Sequence, residues 1–294
     1  MKIGRVSHQG RVRMVVVDEA SSRVAFIGGS LSNHPNPVQA VIERRITASE
    51  LDALKEGEAS FSEVGFLAPI SVPVRNIFAV GKNYTEHAAE FDKSGFNATS
   101  SGAAAVPAFP QIFTKATTSL AGPTDDIRFD PAHTASVDYE GEIGVVIGAE
   151  CRNVAPADAL GKVFGLIALN DVTARDLQKN HAQWFLGKSL DTFCPLGPWI
   201  STADESPVES LEVRTWVNGE LRQTGVLTDL IFDVPTLIAT LSRAMTLLPG
   251  DIIATGTPVG VGIGQTPPKF LQDGDLVRVA VSGLGELNNR VRTL

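Results

Sequence analysis

Asp138, Glu140 and Glu142 recur at every second position of VDYEGEIGVVIG (Val137 to Gly148), just ahead of an apolar run. On a strand, residues i and i+2 share a face, and a rise of about 3.3 Å per residue sets Glu140 and Glu142 roughly 6–7 Å apart at Cα. Two carboxylates so placed can converge on a hard divalent cation such as Mg²⁺, which takes oxygen ligands and keeps waters in its other positions. A third carboxylate, Asp171, follows the apolar strand predicted over VFGLIALN. Like charges on one face repel, and a buried carboxylate is costly unless something neutralises it. Either this face is wet, as on an edge strand, or a cation sits there. The apolar residues after Glu142 imply burial and favour the cation.

NYTEHAAEF (Asn83 to Phe91) predicts a short helix with Asn83 as N-cap and Glu86 completing a capping-box-like pair. His87 and Glu90 then stand at i and i+3, where side chains meet. A carboxylate beside an imidazole orients the ring to take a proton from water; the plainer reading is a surface pair of small energetic consequence. The stretch that follows, Asp92 to Phe109, is rich in small residues and Gly and reads as a loop able to close over a site. Lys188 is a lone cation in WFLGKSLDTFCPLGPW. It either packs its stem on the core with its ammonium in water or pairs with a substrate carboxylate or developing enolate. Gln178 is a further candidate, whereas Arg175 and Asp176 read as a structural ion pair. IIATGTPVGVGIG (Ile252 to Gly264) is a strand entering a Gly-rich turn without the Lys-Ser/Thr end of a P-loop. The Thr255 and Thr257 hydroxyls and nearby N–H groups could bind a small carboxylate, or the glycines could serve only tight turns.

The elements that must position these groups are mostly short strands. KIGRV, RVRMVVVD and SRVAFIG read as strands and TASELDALKEG as a helix capped by Thr47 or Ser49. Residues 1–70 are expected to form a small N-terminal domain and residues 71–294 the main one. LEVRTWVNGELRQTG predicts a hairpin turning at Asn218-Gly219. DVPTLIATLSRAM predicts a helix capped by Asp233 with Leu237, Leu241 and Met245 on one face. With 27 Gly and 17 Pro, the fold class is β-rich α+β. A net charge of −8 without a Lys/Arg cluster argues against nucleic acid, and no apolar run is long enough to span a bilayer. No signal peptide is expected, and two distant cysteines, Cys151 and Cys194, read as buried thiols in a reducing cytoplasm.

Six segments, GKNYTEHAAE, VDYEGEIGVVIG, ALNDVTARDLQ, GKSLDTFCPLGP, VNGELRQ and GDIIATGTPVGVG, lie in order over residues 75–294, and together they resemble the fumarylacetoacetate hydrolase family. The resemblance is to its shorter bacterial members and the acylpyruvase branch. It implies a mixed β-roll, usually a homodimer, with Mg²⁺ or Mn²⁺ on Glu140, Glu142 and Asp171. It implies a His87–Glu90 dyad that activates water, a site lysine at Lys188, Gln178 in the site, and Thr257 on the substrate carboxylate. Asp138 matches no ligand and reads as a more exposed neighbour. The expected activity is metal-dependent hydrolysis of a C–C bond in a small 2,4-dioxo acid. The alternatives are decarboxylation of an oxaloacetate-like acid or isomerisation of a dienoic 2-oxo acid on the same metal, or a non-catalytic metal-binding dimer.

Overall fold

Apolar residues on both faces of the central strands decide the architecture. The computed structural model describes residues 1–95, 106–208 and 211–294. Strands Gly141–Ile147 and Val163–Asn170 pair antiparallel. Val145 and Leu166 pack into one core cluster, while Val146 and Ile167 pack into another. A strand covered on both faces reads as a continuous apolar run rather than an alternating one, which explains the texture of GVVIG and VFGLIAL.

These two strands lie within a twelve-stranded mixed sheet. Cys194–Thr202 flanks them on one side; Ile252–Ala254, Ile77–Gly81 and Gln111–Lys115 continue on the other. The first strand, Lys2–His8, pairs antiparallel with Cys194–Thr202, Ile3 lying opposite Ile200. Strands Arg11–Asp18, Arg23–Ile27 and Lys55–Ser60 extend the same sheet outward. A five-stranded sheet packs against the centre and contains Glu212–Val217, Glu220–Val226, Leu276–Val281 and Gly285–Thr293. The expected β-rich α+β class and mixed sheets are observed.

Local expectations fare unevenly. Thr47 caps helix Ala48–Asp52 with a full capping box, but the helix ends there and Lys55–Ser60 is a strand, shorter than TASELDALKEG predicts. The Asn218-Gly219 turn forms with φ of 51° and 83°, as a tight hairpin between right-twisted strands requires. Asp233 caps Val234–Ala244 through the Thr236 N–H at 2.9 Å. Leu237 and Leu241 are buried, but Met245 leaves helical geometry and lies at the surface. Helix Pro37–Arg44, which was not expected, covers one face of the large sheet with Val38, Val41 and Ile42. Most of the loop expected over Asp92 to Phe109 lies outside the described residues. Among the described residues, no helix is long and apolar enough to cross a membrane.

Cys151 and Cys194 are free and buried. Burial pushes the Cys194 thiol up to about 12 and raises that of Cys151 as well. Because the thiolate is the reactive form, neither should react with a thiol-specific reagent in the native protein at pH 8. Both should react in guanidinium, as the absorbance of a released aromatic thiolate would show.

Candidate active site and metal centre

The strand register brings the acids together. Gly141 is paired with Asn170, so the residues just beyond the ladder, Glu140 and Asp171, become neighbours. The Asp171 N–H donates to the Glu140 carbonyl at 2.8 Å, and the Glu140 N–H donates to Asn170 Oδ1 at 3.0 Å. Gly141, between the two glutamates, faces the five-stranded sheet so closely that a Cβ there would lie 2.1 Å from Thr215 Oγ1. Carboxylate oxygens of Glu140, Glu142 and Asp171 lie within 4.8 Å of one another, all three residues buried.

Three buried cations answer them. Lys188 Nζ lies 2.7 Å from both Glu140 Oε2 and Asp171 Oδ2. Lys115 Nζ donates to Asp171 Oδ1 at 2.5 Å and to the Val172 carbonyl at 3.1 Å. Arg175 spans Asp138 at 2.9 Å and Glu140 Oε1 at 2.7 Å. Burial alone would raise the Glu140 carboxyl, but Lys188 and Arg175 hold it down to about 2. Lys188 loses solvation too, yet Asp171 and Glu140 keep it above its ordinary value. Among the described residues Glu142 has no ion-pair partner: it accepts the Gly256 N–H at 2.9 Å, and burial, then the charges of Asp171 and Glu140, push its carboxyl well above the usual range. With Asp138, four buried carboxylates face three cations. An all-oxygen donor set with an uncompensated negative charge fits a hard divalent cation.

Helix Thr85–Lys93 carries the dyad. His87 Nδ1 lies 3.2 Å from Glu90 Oε2, and Glu90 accepts the Gly260 N–H at 3.2 Å. The His87 side chain is buried and that of Glu90 is only 11% exposed, so the pair is not a surface one. Gly264 packs against Glu90 so closely that a Cβ would lie 1.8 Å from its Oε1. His87, Glu140, Gln178, Lys188 and Thr257 line one cleft together with the rings of Phe91, Phe113 and Trp184. Its internal space is about 20 Å³, roughly what one water needs. A larger groove between the N-terminal strands and the five-stranded sheet, lined by Phe66, Trp199 and Trp216, contains none of these groups.

The structure thus groups Glu140, Glu142 and Asp171 in one buried cluster and sets His87, Gln178, Lys188 and Thr257 around the cleft that Glu140 lines, with four corrections of detail. Asp138 is fully buried rather than exposed, and accepts the Gly262 and Ile263 N–H groups as well as Arg175. Arg175 pairs with Asp138 and Glu140, not with Asp176, which binds Thr134 and the Ala135 N–H. Asn83 does not cap the helix, whose N-cap is Tyr84; its side chain ties the Phe232 N–H and the Thr255 carbonyl together. The Thr257 hydroxyl donates to the Gly141 carbonyl and accepts from Gln223, while Thr255 donates to the Ile143 carbonyl. Neither hydroxyl has a proton left for a carboxylate. Sequence reasoning also missed Lys115, although a lone lysine ending the apolar strand QIFTK is the same kind of signal that singled out Lys188.

The model of the fumarylacetoacetate hydrolase C-terminal domain matches residues 76–292. The chain is 47% identical over 234 residues to oxaloacetate tautomerase YisK of Bacillus subtilis (strain 168), covering 79% of this chain and 74% of that one. Among solved structures, a fumarylacetoacetate hydrolase from psychrophilic Exiguobacterium antarcticum superposes with a TM-score of 0.86 at 40% identity, covering 100% of both chains. A 2-hydroxyhepta-2,4-diene-1,7-dioate isomerase from Mycobacterium marinum superposes with a TM-score of 0.76 at 32% identity, covering 100% of this chain and 98% of that one.

Two outcomes follow from the geometry. A metal ligand must be ionised, and the Glu142 carboxyl is pushed up in the metal-free protein, so binding of Mn²⁺ or Mg²⁺ should tighten as pH rises and should release protons wherever that carboxyl is still protonated. Calorimetry in two buffers of different ionisation enthalpy reads this; Glu142→Gln should abolish the release and weaken binding more than about tenfold, since even outer-sphere changes cost that much. Gly264→Ala should displace Glu90, shifting the His87 ring resonances while moving Tm little, because a flexible side chain yields before backbone does.

Proposed function

The chain belongs to the fumarylacetoacetate hydrolase family, and from that membership we propose that it enolises a small 2-oxo acid, interconverting the keto and enol forms of oxaloacetate, with Mg²⁺ or Mn²⁺ as cofactor. One observation carries this reading: a buried histidine backed by a carboxylate shares a small cleft with a lysine and a carboxylate of the buried acidic triad. Enolisation needs a base at carbon and positive charge at oxygen, and no second reactant. The name of the Bacillus subtilis relative supports the choice of oxaloacetate.

Glu90 engages Nδ1 of His87, which leaves Nε2 to act. Nε2 takes a proton from C3 of the keto acid, and the C–H electron pair moves into the C2–C3 bond as negative charge gathers on the C2 oxygen. Returning that proton from Nε2 to the oxygen gives the enol, so no atom is gained or lost. Glu90, fixed by the Gly260 N–H, stabilises the imidazolium between the two transfers. Lys188 contributes positive charge at the acids. A divalent ion held by Glu140, Glu142 and Asp171 would supply Lewis-acid charge to the oxygens of the 2-oxo acid. The Thr257 backbone N–H, for which the described residues provide no partner, is the group left at that turn to meet a carboxylate.

Hydrolysis of a C–C bond in a 2,4-dioxo acid is the second reading. The same dyad favours it, since His87 could activate water instead of carbon, and a hydrolase is among the structural relatives. Decarboxylation of oxaloacetate and isomerisation of a dienoic 2-oxo acid would use the same acids.

The test follows the ultraviolet absorbance of enol-oxaloacetate with Mg²⁺-loaded protein, beside acylpyruvates and assays for released CO₂. We expect enol–keto conversion without acylpyruvate cleavage, loss of the rate on chelation, and a fall of about 10²-fold or more in kcat for His87→Ala. Full rates in both the chelated protein and His87→Ala would sink the proposal. Acylpyruvate cleavage that exceeds oxaloacetate conversion would favour the second reading.

A further inference from the structure

Lys82 is the cleft cation paired with a carboxylate outside the acid cluster. It follows strand Ile77–Gly81 and adopts a left-handed φ of 54°, a conformation uncommon for a residue with a long side chain. It is 5% exposed, and its Nζ donates to Asp92 Oδ1 at 2.5 Å. The ammonium also lies 5.4 Å from the centroid of the Phe91 ring. Among the described residues, the other cations lining the cleft are Arg175 and Lys188. Arg175 is held by Asp138, Glu140 and Gln178, and Lys188 by Glu140 and Asp171. Removing either would strip charge from the acid cluster itself. Asp92 is different: it is no part of that cluster, its side chain is 20% exposed, and it sits in the last turn of the helix that bears His87 and Glu90.

The C1 carboxylate and C2 oxygen of a 2-oxo acid would face the acidic triad, where a divalent ion held by Glu140, Glu142 and Asp171 would supply the positive charge they need. A second carboxylate at the acid's far end, taken out of water among these buried groups, needs a cation of its own. We propose that Lys82 recognises the distal carboxylate of dicarboxylic 2-oxo acids, with Asp92 occupying its ammonium until the substrate replaces it. The exchange trades one carboxylate partner for another, so no charge is left unpaired at Lys82, and the released Asp92 already touches solvent. This rests on the reading of the cleft as a 2-oxo acid site and adds the chemical class that the site selects.

Oxaloacetate and 2-oxobutanoate differ only by a carboxylate in place of a methyl group, and so isolate the subsite. With the full chain and Mg²⁺, turnover is read as enol–keto conversion of oxaloacetate and as deuterium exchange at C3 of 2-oxobutanoate; binding is read separately by calorimetry. Lys82→Met should raise KM and Kd for oxaloacetate by at least about tenfold, the usual effect of losing a charged hydrogen bond. It should change 2-oxobutanoate by less than about twofold, and Lys82→Arg should restore most of the preference. Asp92→Asn should tighten oxaloacetate alone. Equal losses on both acids, no loss on either, or a wild-type protein that binds the two equally would overturn the subsite. Selective loss of oxaloacetate binding in a protein that turns over neither acid would uphold the subsite and overturn the proposed reaction.

Discussion

Four carboxylates and three cations share one dry patch of this protein, and the arrangement around them follows from that imbalance. Asp138, Glu140, Glu142 and Asp171 are buried beside Arg175, Lys115 and Lys188. An isolated charge in such a place costs several kcal/mol even after the protein relaxes. Arg175, Lys115 and Lys188 are therefore not decorative: each bridges two groups, and each bridge fixes the distance between the elements that carry them. Among the described residues, Glu142 receives a backbone N–H but no ion pair. Its raised carboxyl marks the place where positive charge is still wanted.

The surrounding fold makes those distances reproducible. The pairing of Gly141 with Asn170 sets Glu140 beside Asp171 through backbone geometry alone. Gln223 accepts the Gly141 N–H and donates to Thr257 and to the Pro258 carbonyl, tying the five-stranded sheet to the turn that supports the site. That turn continues to Gly260, Gly262 and Ile263, whose N–H groups hold Glu90 and Asp138. One Gly-rich segment thus fixes both the dyad and the outermost acid of the cluster. Its glycines provide close approach and backbone donors, not a phosphate cradle.

Local chemistry was legible in the sequence, and long-range pairing was not. The i, i+2 spacing of Glu140 and Glu142, the strand-end Asp171, the i, i+3 dyad and the lone Lys188 are patterns set by helix and strand geometry, and all of these groups meet. The Asn218-Gly219 turn and the Asp233 cap follow from equally local rules. Asp138 and Arg175 are 37 residues apart. Nothing in VDYEG or TARDLQ says that they touch, so the nearer Asp176 looked like the partner and Asp138 looked exposed. Asn83 and Thr257 failed for a related reason: their types promise a cap and a ligand contact, but distant backbone groups claim them first. Lys115 and Lys82 are single lysines whose burial depends on the packing of strands far away in sequence.

The pairing of Lys2–His8 with Cys194–Thr202 has a consequence for how the molecule is made. As the chain leaves the ribosome, Lys2–His8 can close at once on Arg11–Asp18, and Arg5 to Ser7 can take Gly65–Leu67 on the other edge, but Lys2 to Gly4 have no strand partner on that edge until Cys194–Thr202 has been made. During that interval an apolar strand edge is open to any other extended segment. Completion of the central sheet therefore waits on translation of the very segment that follows Lys188, so that Lys2–His8 and the neighbour of that buried lysine take their places together.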